Sequence, residues 1–184
     1  MERVYACPLS PEEYDETEGY YRQVTPESVC ARCQRSVALH RHGRYQRWVA
    51  TRLARWLYLW IARFLCPQCR HTISYLPDFA FSYHAVQPET FAAFLDGEHT
   101  GRDVCTLWDR LHGYQRRFEA FGAELIRTVG AGLGLPPPSP RSPEGLWPWL
   151  KKAGEGLRPL TRRLVTDFKI GLFQRYQCHQ PAGP

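Results

Sequence analysis

Two short motifs of the same form, Cys30-Ala31-Arg32-Cys33 and Cys66-Pro67-Gln68-Cys69, constrain this chain more than any other feature. Each C-x-x-C turn brings two sulfurs within reach of one ion, and four thiolates complete the tetrahedral shell of a structural zinc. Backbone N–H groups in such turns stabilise the sulfur charge. The loop between the motifs, residues 34–65, holds 32 residues. That exceeds the about 15–20 residues of the compact spacing, and a ribbon absorbs the excess by extending the insert as a hairpin. Four buried free cysteines or two disulfides are the competing readings. Two close C-x-x-C pairs favour one structural Zn2+ on Cys30, Cys33, Cys66 and Cys69. The fold class expected is α+β, a small β zinc ribbon followed by an α-helical region with a long amphipathic helix.

The charge around these cysteines is one-sided. No acidic residue lies between Glu27 and Asp78, whereas residues 30–70 carry Arg32, Arg35, Arg41, Arg44, Arg47, Arg52, Arg55, Arg63 and Arg70. Nine guanidinium groups against four thiolates and one divalent ion leave a net +7 on this stretch. Tyr45, Trp48, Trp56, Tyr58, Trp60 and Phe64 are interleaved with them. Arginine contacts phosphate bidentately and stacks on bases. A solvated surface of snorkelling arginines is the plainer reading, but the lack of any counter-charge points to a polyanion, and nucleic acid is the natural one. Arg35, Arg41, Arg44, Arg47, Arg63, Arg70 and His71 are the expected contacts.

The flanks carry a different balance. Residues 1–29 are net −5, residues 71–135 net −3 and residues 136–184 net +5. Five parts follow: an acidic N-terminal arm (1–27), the zinc ribbon (28–79), a helical, helix-turn-helix-like region (80–130), a Gly/Pro linker (131–143) and a basic helical segment (144–184). The start of the chain lacks a secretory signal pattern. Its longest apolar run, Trp56 to Ala62, is too short to span a bilayer. Four of seven cysteines in C-x-x-C pairs suit a reducing compartment, hence the cytoplasm. Cys7, Cys105 and Cys178 read as small buried hydrophobes.

In order, residues 1–29 read as a poorly structured tail around Tyr14, Tyr20 and Tyr21. Ser36 to His40 reads as a strand, His42-Gly43 as a turn and Tyr45 to Ala50 as the next strand. Thr51 to Leu65 fits either a helical stripe or a strand buried on both faces, and strand is chosen for its second half because it leads into the second cysteine pair. His71 to Tyr75 makes the returning strand. His40, His42 and His71 are expected beside the metal rather than on it, since four cysteines suffice. Pro88 opens a short helix ending near Leu95. Thr100 and Asp103 resemble a capping pair for a long helix reaching about Val129. A last helix is expected from Pro159 through Tyr176, docking on the long one.

The sequence Cys-x-x-Cys, then His-Arg-His-Gly-Arg-Tyr-x-Arg (40–47), then Ile-Ala-Arg-Phe-Leu-Cys-Pro-Gln-Cys-Arg-His-Thr-Ile-Ser-Tyr-Leu-Pro-Asp-Phe (61–79) resembles a bacterial zinc-ribbon family associated with insertion-sequence transposases. The resemblance covers roughly residues 28–121, and the second cysteine pair with its Leu-Pro-Asp-Phe segment is its most specific piece. It implies DNA recognition at mobile-element ends, or a derived regulatory use of that module. It also implies a helix-turn-helix-like continuation whose last helix holds a tryptophan, here Trp108. Only residues 96–102 separate the two expected helices, which leaves no room for a standard middle helix.

No constellation for catalysis is visible. The aspartates lack the strand-end contexts of a two-metal site, and no nucleophile–base pair, P-loop or Rossmann glycine pattern is present. A four-cysteine zinc has no open position for substrate. The expectation is a non-enzymatic zinc-ribbon DNA-binding protein, with double-stranded DNA as partner and a homodimer or transposase contact as possible assemblies. The alternatives are a zinc-dependent protein-interaction adaptor and an RNA-binding ribbon in which Trp48, Trp56 or Trp60 stacks on bases.

Overall fold

In Trp56–Leu65 the side chains alternate, and that alternation fixes the sheet: Leu57, Leu59 and Ile61 are buried while Trp56 and Tyr58 face outward. A period of two is what a strand imposes. The helical alternative for this stretch is thereby corrected from Trp56 onward. A computed structural model describes residues 2–51, 55–82, 84–98, 107–139, 143–154 and 156–175. Its elements are β1 (Glu2–Tyr5), α1 (Pro11–Glu16), β2 (His40–Ala50), β3 (Trp56–Leu65), β4 (Thr72–Pro77), α2 (Pro88–Leu95), α3 (Trp108–Leu133), α4 (Pro143–Ala153) and α5 (Leu157–Thr166). The class is α+β. The sheet has the order β1-β4-β3-β2, with β1 parallel to β4 and the other pairs antiparallel.

Two strand expectations change. Ser36 to His40 is not a strand; Ser36 makes only an isolated bridge with Val29. The chain also does not turn at His42-Gly43. β2 runs straight through, and a register shift between Arg41 and Gly43 marks a bulge, with Gly43 at φ 122°. Glycine suits that backbone, and a bulge accommodates one extra residue without ending the ladder. The bulge has a consequence for side chains. Arg41 opposes Phe64 and Arg44 opposes Ala62, so residues three apart share one face. Arg47 opposes Leu59 and lies on the other face, with Tyr45 and Val49.

Residues 1–27 are not a poorly structured arm. β1 joins the sheet beside β4, with Glu2 opposite Ser74 and Tyr5 opposite Pro77. α1 starts in a capping box: the Ser10 hydroxyl accepts from the Glu13 N–H, and the Glu13 carboxylate accepts from the Ser10 N–H. α1 covers the part of β3 that β4 leaves unpaired. β4 pairs only with Ala62–Leu65, while the Tyr14 hydroxyl donates to the Trp60 carbonyl at 2.7 Å and the Tyr58 N–H donates to Asp15. An uncovered edge of this kind would present unsatisfied backbone groups. The acid count concealed Val4, Tyr14, Tyr21 and Val24, all of them buried.

Three apolar clusters result. One lies on the Leu57–Leu59–Ile61 face with Val4, Tyr14, Val49, Leu76 and Phe79. A second holds Tyr21, Val24, Phe64, Ile73 and Tyr75 around Cys30 and Cys66. The largest joins α2 to α5, with Phe91, Leu111, Phe118, Leu125, Leu146, Leu150, Leu160 and Leu164. α5 bridges two of them, Val165 entering the sheet cluster and Leu160 and Leu164 the helical one. Its helix stops at Thr166 rather than continuing to the expected end at Tyr176, which lies outside the described residues. Lys169 takes φ 58°, and Ile170 bridges Arg175, so that Leu172 and Phe173 turn back into the core. The expected linker at 131–143 is shorter than its composition suggests. α3 continues to Leu133 and ends at a left-handed Gly134. The Trp149 indole then holds the Pro136 carbonyl at 2.8 Å, and α4 begins at Pro143. The expected Thr100–Asp103 cap lies outside the described residues. No helix among the described residues is long and apolar enough to cross a membrane.

His84 links sheet and helices. Its ring packs edge-on against Phe81, Tyr114 and Phe173. Burial, then the charges of Arg117 and Arg47, push its pKa down to about 4. The unfolded value is about 6.5, so between these two values the unfolded chain binds a proton that the folded chain refuses. Stability from this group is therefore complete above about pH 6.5 and falls as pH drops towards about 4, by up to about 3 kcal/mol. Urea unfolding of the His84→Gln variant across that range should show a flatter acid limb than the parent. Parallel limbs would remove His84 from the account.

Candidate metal centre

The two cysteine turns repeat one backbone design. In the first, the Cys30 N–H donates to the Arg35 carbonyl and the Gln34 N–H to the Cys30 carbonyl; in the second, the Cys66 N–H donates to His71 and the Arg70 N–H to Cys66. Gln34 and Arg70 occupy the same place in each turn, and both take φ 56°. Non-glycine residues are uncommon in this left-handed region. Its recurrence four positions after each leading cysteine shows that the turns are shaped to aim two sulfurs inward.

The four Sγ atoms lie within 4.8 Å of one another. Cys30 to Cys69 is 3.7 Å and Cys33 to Cys66 is 3.9 Å. These are far from the about 2.05 Å of a disulfide. They match the edge of about 3.8 Å in a tetrahedron with metal–sulfur bonds of about 2.3 Å. Cys30 and Cys66 are fully buried, Cys33 and Cys69 half-buried. Burial resists the ionisation of Cys30, Cys66 and Cys69, and backbone N–H groups favour it. The Arg32 N–H approaches the Cys30 sulfur at 3.4 Å. At Cys66 burial is outweighed by the N–H groups of Cys69 and Gln68 together with the Cys30 and Cys69 thiols, which bring its thiol down to about 7. Cys69 is pushed up to about 12 by burial and by the adjoining Cys66 and Cys30 sulfurs. Four sulfurs this close need a cation to ionise together, and the donor set fits a metal ion.

Of the expected nucleic-acid contacts, Arg35, Arg70 and His71 stand around this cluster. Arg35 is exposed and reaches Gln68 on the opposite turn at 3.4 Å. Arg70 is exposed at its left-handed position. The His71 Nδ1 sits 2.7 Å from the Cys69 carbonyl, which places the ring beside the site rather than on the sulfurs. Arg41 lies over the Phe64 ring at 4.9 Å and donates to the carbonyls of Tyr21, Arg22 and Val24. Arg44 donates to the Tyr21 hydroxyl and rests 3.9 Å from the centre of the Trp60 ring. Arg63 donates to Thr72.

Arg47 is a correction. Its side chain is 11% exposed, pairs with Glu2 at 3.0 Å, and donates to the carbonyls of Phe81 and His84. The strand period that puts Tyr45 on the core face puts Arg47 there too, so it ties β1 and the 81–84 segment to the sheet. The arginines of the C-terminal segment are also engaged within the chain: Arg158 with Glu89, Arg162 with Asp78, Arg175 with Glu124. Sequence reasoning counted Tyr58 among the interleaved aromatics without giving it a role, and passed over Arg110. Tyr58 stacks on Trp48 across the strands, and Arg110 reaches Trp56 from α3. The signal was the alternation of Trp56, Tyr58 and Trp60; nothing local marks Arg110.

No protein-family model matches the chain, nor does any curated protein or solved structure.

Proposed function

We propose that this chain is a DNA-binding protein of zinc-ribbon type, akin to the recognition modules of insertion-sequence transposases. In this reading it serves in the cytoplasm as an accessory or regulatory factor and carries out no reaction of its own. One Zn2+ on Cys30, Cys33, Cys66 and Cys69 would cross-link the two turns and offset half of the thiolate charge. The protein residues do the rest. Gln34 and Arg70 shape the turns, and the start of β2 carries further basic side chains beside them.

The observation that carries this reading is a group of exposed arginines that no carboxylate pairs with among the described residues. Arg32, Arg35, Arg70 and His71 surround the sulfur cluster, and His40, Arg41, His42 and Arg44 are exposed at the start of β2. Among the described residues, none of Arg32, Arg35, Arg41, Arg44 and Arg70 has a carboxylate partner, in contrast to the ion-paired arginines of the helical half. Arg32, Arg35 and Arg70 exceed the net double negative charge of a four-thiolate Zn2+ site, so positive charge remains for phosphate.

Counterion release makes the test quantitative. Affinity for a fluorescent 20-base-pair duplex should fall linearly in log K against log salt, with about 0.9 of slope per phosphate neutralised. Arg32→Ala with Arg35→Ala should weaken binding and flatten the slope by about one to two units, with metal content unchanged. Binding that ignores salt, or none at all, would turn the reading towards a protein adaptor.

A further inference from the structure

The outward face of β2 and β3 is covered at one end and open at the other. Near the cysteine turns, Tyr21, Val24 and the Arg41 side chain lie over Ala62 and Phe64, which are buried. Away from them the face ends in Trp48, Tyr58 and Trp56, which remain 53%, 37% and 41% exposed. Scattered exposed apolar residues need no explanation, but a contiguous group of large rings does.

These rings are held in place. Trp48 and Tyr58 are directly opposite in the ladder, with centroids 4.2 Å apart and planes 35° from parallel. The Tyr58 hydroxyl is held by Gln46, and Trp60 follows 6.4 Å along the strand. A guanidinium group stands at each end: Arg44 on Trp60 at 3.9 Å and Arg110 on Trp56 at 5.4 Å. The carboxylate that reaches this strand, Asp15, is turned to the Tyr58 backbone N–H at the edge.

We infer that Trp48, Tyr58 and Trp56, with Arg44 and Arg110 beside them, form a stacking platform for the unpaired bases of a single DNA strand. The inference rests on the nucleic-acid reading above and specifies which form of DNA is held. Bases inside a duplex already stack on one another and offer no free face, whereas unpaired bases stack on aromatic side chains irrespective of sequence. The positive groups at both ends complement phosphate and select a polyanion over an apolar protein helix. Two surfaces then divide the work. The arginines around the cysteines take backbone, and the rings take bases, as a protein would at a frayed or melted end.

The test uses the full chain with bound metal, a 20-nucleotide oligothymidine and a duplex of equal length at matched salt. The single strand should bind more tightly and quench tryptophan fluorescence. Trp48→Ala with Tyr58→Ala should weaken single-strand binding about tenfold or more while leaving duplex affinity and metal content unchanged. Trp48→Phe, which keeps a ring, should retain most of the affinity. Equal binding of both forms, untouched by the double variant, overturns the platform and leaves the DNA reading standing. Tighter binding to oligouridine than to oligothymidine overturns DNA as its occupant. Failure to bind any oligonucleotide overturns both readings.

Discussion

Cys66→Ser is expected to hold less than about a tenth of the metal bound by the parent, and to lose the order of β2 to β4 with it. Structural zinc contributes about 10–16 kcal/mol to the folding of small sites at neutral pH. Few large side chains would compensate here, because the cluster beneath the cysteines is built from Tyr21, Val24, Leu39, Phe64, Ile73 and Tyr75 and includes two of the ligands. The α2–α5 cluster is separate and larger, so the far-ultraviolet helical signal should persist while amide exchange in residues 30–75 accelerates. Elemental analysis and hydrogen exchange together read the outcome. Full metal retention in Cys66→Ser would refute the four-thiolate assignment.

Arg47→Ala is expected to cost about 3–5 kcal/mol of stability, the usual penalty for removing one partner of a buried pair. Glu2 would be left with a buried carboxylate, and one of its oxygens already lacks a hydrogen bond. The carbonyls of Phe81 and His84 would lose their donor. Joint replacement, Arg47→Met with Glu2→Gln, should recover much of the loss because no unpaired charge remains. Urea unfolding measures both. The DNA affinity of the folded Arg47→Ala fraction should match that of the parent, unlike Arg44→Ala, whose guanidinium is exposed. A stability change under about 1 kcal/mol combined with weaker DNA binding would return Arg47 to the binding surface.

What could be read from the sequence followed the range over which each signal acts. The cysteine turns are local, and their spacing alone brought Cys30, Cys33, Cys66 and Cys69 together. The alternation from Trp56 to Leu65 is local as well. Arg47 carried a visible strand period, with Tyr45 two residues before it, but which face meets the core depends on β1 and on Phe79 and Phe81, which are distant in sequence. The acidic N-terminal segment misled for the same reason. Glu13, Asp15 and Glu16 lie on exposed positions of α1, while the partner of Tyr14 is a backbone carbonyl 46 residues away. Gln34 and Arg70 showed no sign of a left-handed backbone, since neither is glycine or asparagine. The bulge at Arg41–Gly43 was read as a turn because both features use glycine.

The parallel pairing of β1 with β4 sets the order of synthesis against the order of assembly. Glu2–Tyr5 waits for Ser74–Pro77, and the helix that packs on β1, Leu157–Thr166, comes later still. Chains generally begin to fold from the end made first. Here β1 precedes its sheet partner β4 and the helix packed on it, and both arrive after the hairpin of β2 and β3. Closing so long a loop costs entropy that only the finished sheet edge returns. Glu2–Tyr5 therefore acts as a closing strap, engaged when the rest of the sheet is already in place.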